Sequence, residues 1–102
     1  MTRNICLHLV LPKSLEELVI DKLLQHPAWV GPFVTYPVSG HAAPEHIASE
    51  AERVRGRADR VKIDILMARD DARQLLAQLQ AGLPGTDLSW WFSPILDSGA
   101  LT

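Results

Sequence analysis

One cysteine, Cys6, stands among 102 residues, so no intrachain disulfide and no Cys-x-x-Cys metal or redox pair can be built. That suits a reducing compartment, and the expected location is the cytoplasm. Excess charge of either sign is lacking too. Ten Lys and Arg against twelve Asp and Glu leave a net charge of -2, which offers no global attraction to nucleic acid or an anionic membrane, and no nucleic-acid partner is expected. Long hydrophobic runs are missing: the N-terminal run "ICLHLVLP" is interrupted by His8 and stops at Pro12, too short and too mixed for a signal peptide or a membrane span. There is no Gly-x-Ser-x-Gly elbow, no Walker A loop and no local His-Glu pairing of a metalloprotease, so the chain is not expected to be an enzyme. What is present is 47% hydrophobic and 22% charged residues, the composition of a folded domain. At this length one modest core is the limit, and residues 1–102 are expected to form a single domain.

The periodicity gives the order of elements. Ile5, Leu7, Leu9 and Leu11 alternate with Cys6, His8 and Val10, the two-residue period of a strand. Leu15, Leu18, Val19 and Leu23 follow at helical spacing, with Ser14 and Glu17 in a capping-box pattern before them. "PFVTYPVSG" is β-prone, but Pro37 cannot donate a ladder hydrogen bond, which predicts a bent or edge strand. Val61, Ile63, Ile65 and Met67 alternate with Lys62, Asp64 and Leu66 as a third strand. Ala72, Leu75, Leu76, Leu79 and Leu83 repeat as a second helix, opened by Asp70 and Asp71 and stopped by Gly82 and Pro84. Leu88, Trp90 and Phe92 against Ser89, Trp91 and Ser93 make a fourth strand before Pro94. The order βαββαβ predicts an α+β fold, a ferredoxin-like sandwich in which two helices cover one face of a four-stranded antiparallel sheet. The opposite face would carry Cys6, His8, Val10, Lys62, Asp64 and Trp91, mixed but apolar enough to predict self-association.

The connection between the two middle strands is informative. "VSGHAAPEHIASEAERVRGRADR", positions 38 to 60, spends roughly 20 residues where a hairpin needs about 2 to 5. Pro44 suits a first helical position and Glu50 stands three residues from Arg53, yet a helix this short is marginal alone. An arm over residues 40–60 that orders only on contact with a ligand or partner is the expectation.

With "YPVSGH" at 36 to 41, "SEAERVRGRADRVKIDIL" at 49 to 66 and "LPGTDLSWWFSPILDSG" at 83 to 99, the chain resembles the PII-like signalling proteins. It is similar in particular to a small PII-like family whose genes often lie beside heavy-metal efflux systems. The resemblance covers nearly the whole chain. It implies a homotrimer, a T-loop-like connection at the arm, a small effector and a regulated partner, with an efflux-system or transporter protein the candidate. Where PII proteins hold ATP phosphates with a loop close to T-G-x-x-G-D-G-K, this chain reads "AGLPGTDLS". Gly82, Gly85 and Asp87 match loosely and the lysine is absent, so ATP in the familiar mode is not expected. The charge for an anion would have to come from Arg53, Arg55, Arg57 and Arg60, and a nucleotide with fewer phosphates is the weaker alternative.

Two ligand chemistries are therefore open. His41 and His46, with Glu45 and Glu50 nearby, offer imidazole and carboxylate to nickel, cobalt, zinc or copper. In a trimer one His41 per subunit could converge on the threefold axis. The arginines Arg53, Arg55, Arg57 and Arg60, with Gly82 and Gly85, could hold an adenine nucleotide. The plainer alternative for both groups is a solvated loop. His26 is expected to serve the end of the first helix, His8 to lie in the sheet face beside Asp64 or Lys62, and Cys6 to be a buried small hydrophobe. Two rival functions stay open: a CutA-like divalent-metal tolerance protein, and a small cofactor-free oxygenase with a pocket lined by His8 and Trp91.

Overall fold

The computed structural model describes residues 2–41, 57–83, 85 and 87–102, with 57 and 58 described by backbone alone. Strand β1 spans Ile5–Pro12, and a single 3-10 turn at Lys13–Leu15 leads into helix α1, Glu16–Leu24. Strands β2, Phe33–His41, and β3, Arg57–Met67, come next. Helix α2, Arg69–Gly82, and strand β4, Ser89–Pro94, complete the series. The strands form one antiparallel sheet in the order β2-β3-β1-β4, the expected ferredoxin-like arrangement.

The period-two patterns decide which way each strand faces. Leu7, Leu9, Leu11, Ile63, Ile65 and Met67 point to the helices and are fully buried, together with Val19 and Leu23 of α1 and Ala72 and Leu75 of α2. Both helices turn their apolar stripes to this one face of the sheet, where about 25 cal/mol per Å² of removed apolar area stabilises the sandwich. β1 and β3 are interior strands, and on β1 even Cys6, on the face away from the helices, is buried.

Three local expectations are corrected. The Ser14–Glu17 capping box does not form: α1 starts at Glu16, one residue after the 3-10 turn, and its first turn has no side-chain cap. Pro12 ends β1 so close to the helix that the turn consumes Ser14. Leu18 stays 45% exposed, because Val19 and Leu23 already point the helix at the sheet. The β2–β3 ladder also runs beyond the expected strands, by one residue on β2 and three on β3: Ser39 pairs with Asp59, Gly40 with Ala58 and His41 with Arg57. Residues expected at the two ends of the arm thus carry backbone pairing, which leaves 42–56, outside the described residues, as the connection. Pro37 is accommodated as predicted, on the edge strand β2 opposite Val61.

Candidate functional site

The sheet face turned away from the helices carries the polar chemistry of the described residues. Register places His8 of β1 between Asp64 of β3 and Trp91 of β4, and Cys6 beside Ser93. Val34 of β2 lies across from Asp64 and Tyr36 across from Lys62. The His8 ring bridges three strands: Nδ1 lies 2.9 Å from Asp64 Oδ1, and Nε2 lies 2.8 Å from Ser93 Oγ. The Tyr36 hydroxyl donates to Asp64 Oδ2 at 2.7 Å. Lys62 Nζ stands 3.5 Å from Asp64 Oδ1 and about midway between two aromatic faces, 5.5 Å from the Tyr36 ring centre and 5.4 Å from that of Trp91. Trp91 in turn stacks on His8, with ring centres 5.2 Å apart and planes 16° apart.

The electrostatics follow from this geometry. Partial burial would push the Asp64 carboxyl up, but hydrogen bonds from Tyr36 and His8 and the Lys62 charge outweigh it and hold the group below its ordinary value. Lys62 is held above its ordinary value, first by the Tyr36 hydroxyl and then, against some desolvation, by Asp64. Burial, and after it the Asp64 charge, push the Cys6 thiol up. The face therefore holds a carboxylate and an ammonium at neutral pH beside a protonated thiol. Cys6 Sγ, one His8 ring nitrogen and an Asp64 oxygen lie within 4.8 Å of one another.

The residues expected to bind ligands fall elsewhere. His41 is the exposed last residue of β2. Glu45, His46, Glu50, Arg53 and Arg55 lie outside the described residues, and Arg57 is placed only as the first residue of β3, paired with His41. Arg60 is not a free anion-binding group: its guanidinium donates to Asp87 Oδ2 at 2.7 Å. This ion pair ties the base of the β2–β3 hairpin to the segment before β4. At Gly82 an added Cβ would meet Lys22 Cε and Nζ at 3.0 Å, so a lysine of α1, not one in the loop, brings positive charge to the end of α2. Gly85 adopts a positive φ of 75°, the left-handed turn that glycine makes without strain.

His8 lies beside Asp64, as the strand pattern predicted. Against the oxygenase alternative, His8 and Trp91 stack on each other, which leaves no slot between them for a flat substrate. Sequence reasoning missed Tyr36 and Ser93 as members of the network. Both were within reach, because alternation along β4 puts Ser93 on the face of Trp91, and Tyr36 stands at the same parity as Val34. His26 stacks on Trp29 at 4.7 Å, one turn beyond the end of α1.

A sheet open on one side, two helices on the other and a long β2–β3 connection define the ferredoxin-like class to which PII-like and CutA proteins belong, and comparison with solved structures bears this out. CPII from Thiomonas intermedia K12, a nitrogen regulatory PII-like protein bound to ADP, AMP and bicarbonate, is 15% identical with a TM-score of 0.70, over 96% of this chain and 96% of that one. The periplasmic divalent cation tolerance protein CutA from Archaeoglobus fulgidus is 12% identical with a TM-score of 0.67, over 93% of this chain and 86% of that one. A DUF3240 family protein from Shewanella baltica OS155 is 18% identical with a TM-score of 0.79, and the match covers the whole of both chains. The chain itself belongs to the DUF3240 family of proteins of unknown function, whose model matches residues 1–102. No curated protein matches the sequence. Among the described residues no helix is long and apolar enough to cross a membrane.

Proposed function

We propose that this protein is a cytoplasmic PII-like regulator: a homotrimer that senses a small ligand and signals to a partner protein through the connection between β2 and β3. The observation that carries the reading is the open sheet face. Val34 is 60% and Tyr36 36% exposed there on the edge strand β2, and Trp91 is 44% exposed on the opposite edge strand β4. Exposed apolar surface spread across a sheet face marks an interaction surface. Copies of the chain are the occupant, since the mixed polar and apolar face can complement itself under symmetry. The hairpin of β2 and β3 then projects from the assembly, in the position of the T-loop of PII-like proteins.

The ligand is a transition-metal ion at His41, His46, Glu45 and Glu50, or an adenine nucleotide held by Arg53, Arg55, Arg57, Arg60, Gly82 and Gly85. For the nucleotide, the Arg60–Asp87 pair supplies a mechanism. An anion that captures Arg60 must release Asp87, and so couples ligand binding to the base of the hairpin. A ligand shifts the hairpin only by the difference in its affinity for the two arrangements. The regulated partner is a heavy-metal efflux system or another membrane transporter. A CutA-like tolerance role, with metal binding itself as the task, is the second reading, favoured by the exposure of His41 at the end of β2.

Sedimentation of the purified chain at micromolar concentration, followed by a thermal-shift panel of nickel, zinc, copper, AMP, ADP and ATP, tests this. A trimer whose melting temperature rises with one ligand class is expected, because binding to the folded state alone stabilises it. A monomer indifferent to all six would overturn the proposal. Retained metal binding with no partner interaction would favour the tolerance role.

A further inference from the structure

We propose that Cys6, His8 and Asp64 form a binding site for a borderline-soft divalent ion, zinc or cobalt in type, separate from the histidines of the arm. Thiolate, imidazole and carboxylate are the donor set such ions take from proteins. The three donor atoms already lie within 4.8 Å of one another on two neighbouring, hydrogen-bonded strands. Around a zinc ion such donors stand roughly 3.5 Å apart, so closure asks for donor atoms to approach by about 1 Å.

The surroundings suit that exchange. A metal-binding imidazole holds its ligating nitrogen in place by donating from the other one, and here Nε2 faces Ser93 Oγ at 2.8 Å. The hydroxyl can donate to the ring in the free protein and accept from it in the complex, since it turns about its own bond. The imidazole proton then moves from Nδ1 to Nε2, Nδ1 meets the ion, and the one proton released is that of the Cys6 thiol. Tyr36 fixes the second oxygen of Asp64 at 2.7 Å, which leaves Oδ1 for the metal. The opposing group is Lys62, 3.5 Å from that oxygen. Its flexible stem can withdraw the ammonium toward the Tyr36 and Trp91 rings it already lies over. The charges acting on the thiol are thus Asp64 and Lys62 of β3; His8 of its own strand and Tyr36 of β2 hold Asp64, and the nearest β4 side chains, Ser93 and Trp91, carry no charge.

His41 lies seven residues along β2 from Val34, the partner of Asp64, or about 23 Å at strand rise. The two metal candidates are therefore independent, and this site does not require the trimer or a regulated partner.

Cobalt titration of the reduced full-length chain tests the site. The chain has one cysteine, so a thiolate-to-cobalt charge-transfer band can arise only from Cys6. The expected result is a band that saturates at one ion per chain, with an affinity that rises about tenfold per pH unit while the thiol is protonated. Asp64→Asn and His8→Gln should each weaken binding by about tenfold or more. The double variant His41→Ala, His46→Ala should leave the band intact. Ser93→Ala, which removes no ligand and little packing, should weaken binding while circular dichroism stays unchanged, a check that does not depend on the core variants folding. No thiolate band in the unaltered chain, or undiminished affinity in folded Asp64→Asn, would overturn the proposal. Absence of a trimer or of a regulated partner would sink the regulator reading and leave this band in place.

Discussion

Asp64 is the residue on which the open face turns: it takes hydrogen bonds from Tyr36 and His8 and lies 3.5 Å from the Lys62 ammonium. Its carboxyl is held below the ordinary value of about 3.9, so the ionised form is bound more favourably in the folded chain than in the unfolded one. The stabilisation is present in full above that ordinary value and disappears as the pH falls through the folded one. Asp64→Asn should therefore cost about 1 kcal/mol at neutral pH, the exposure of the pair keeping it modest. Urea melts of variant and parent should converge as the pH drops below the carboxylate range; a gap independent of pH would argue against an ionic origin. Gly85 makes a second residue-scale case. With φ at 75° and open space around it, Gly85→Ala should lose about 1 kcal/mol through backbone strain alone, whereas Gly82→Ala should cost less, since only the flexible Lys22 end must shift.

Among the elements, α2 was the most legible in the sequence and α1 the least complete. The stripe Ala72, Leu75, Leu79 emerges buried as its spacing requires, because a helix of four turns averages over local accidents. Leu75→Ala, at a fully buried position between helix and sheet, should cost about 2–5 kcal/mol in denaturant unfolding. A loss under 1 kcal/mol would mean that the helix packs elsewhere. α1 is only nine residues long, and its start was decided by the 3-10 turn after Pro12, a tertiary constraint that overrode the capping pattern of Ser14 and Glu17. The outward growth of β2 to His41 and of β3 to Arg57 had no hydrophobic signal, since Arg57, Asp59 and His41 offer no apolar alternation to read.

For the whole molecule, the two faces of the sheet have different fates. One is sealed by helices; the other leaves Val34, Tyr36 and Trp91 in solvent. The paired substitutions Val34→Asp and Trp91→Glu should convert the proposed trimer to monomers in sedimentation while leaving the far-ultraviolet circular dichroism of the chain unchanged. These positions are exposed in the single chain and bear no load in its core. An assembly that survives both would place the contact elsewhere, at the sheet edges or the helices.

The order of elements and the buried faces of β1 and β3 were determined by the sequence alone, because periods of 2 and 3.6 residues act locally, and Pro37 narrowed β2 to a bent or an edge strand; that it is the edge was decided by the tertiary structure. Tertiary structure alone decided which residues meet. Cys6, His8, Tyr36, Asp64 and Ser93 span 88 positions of the chain, and only the registers of β1 with β3 and β4, and of β2 with β3, bring them together. Arg60 was legible as a charge but not as the partner of Asp87, for the same reason. A side chain's type is written in the chain; its neighbour is chosen by strand pairing, a cooperative outcome of burying all the leucines, isoleucines and valines at once.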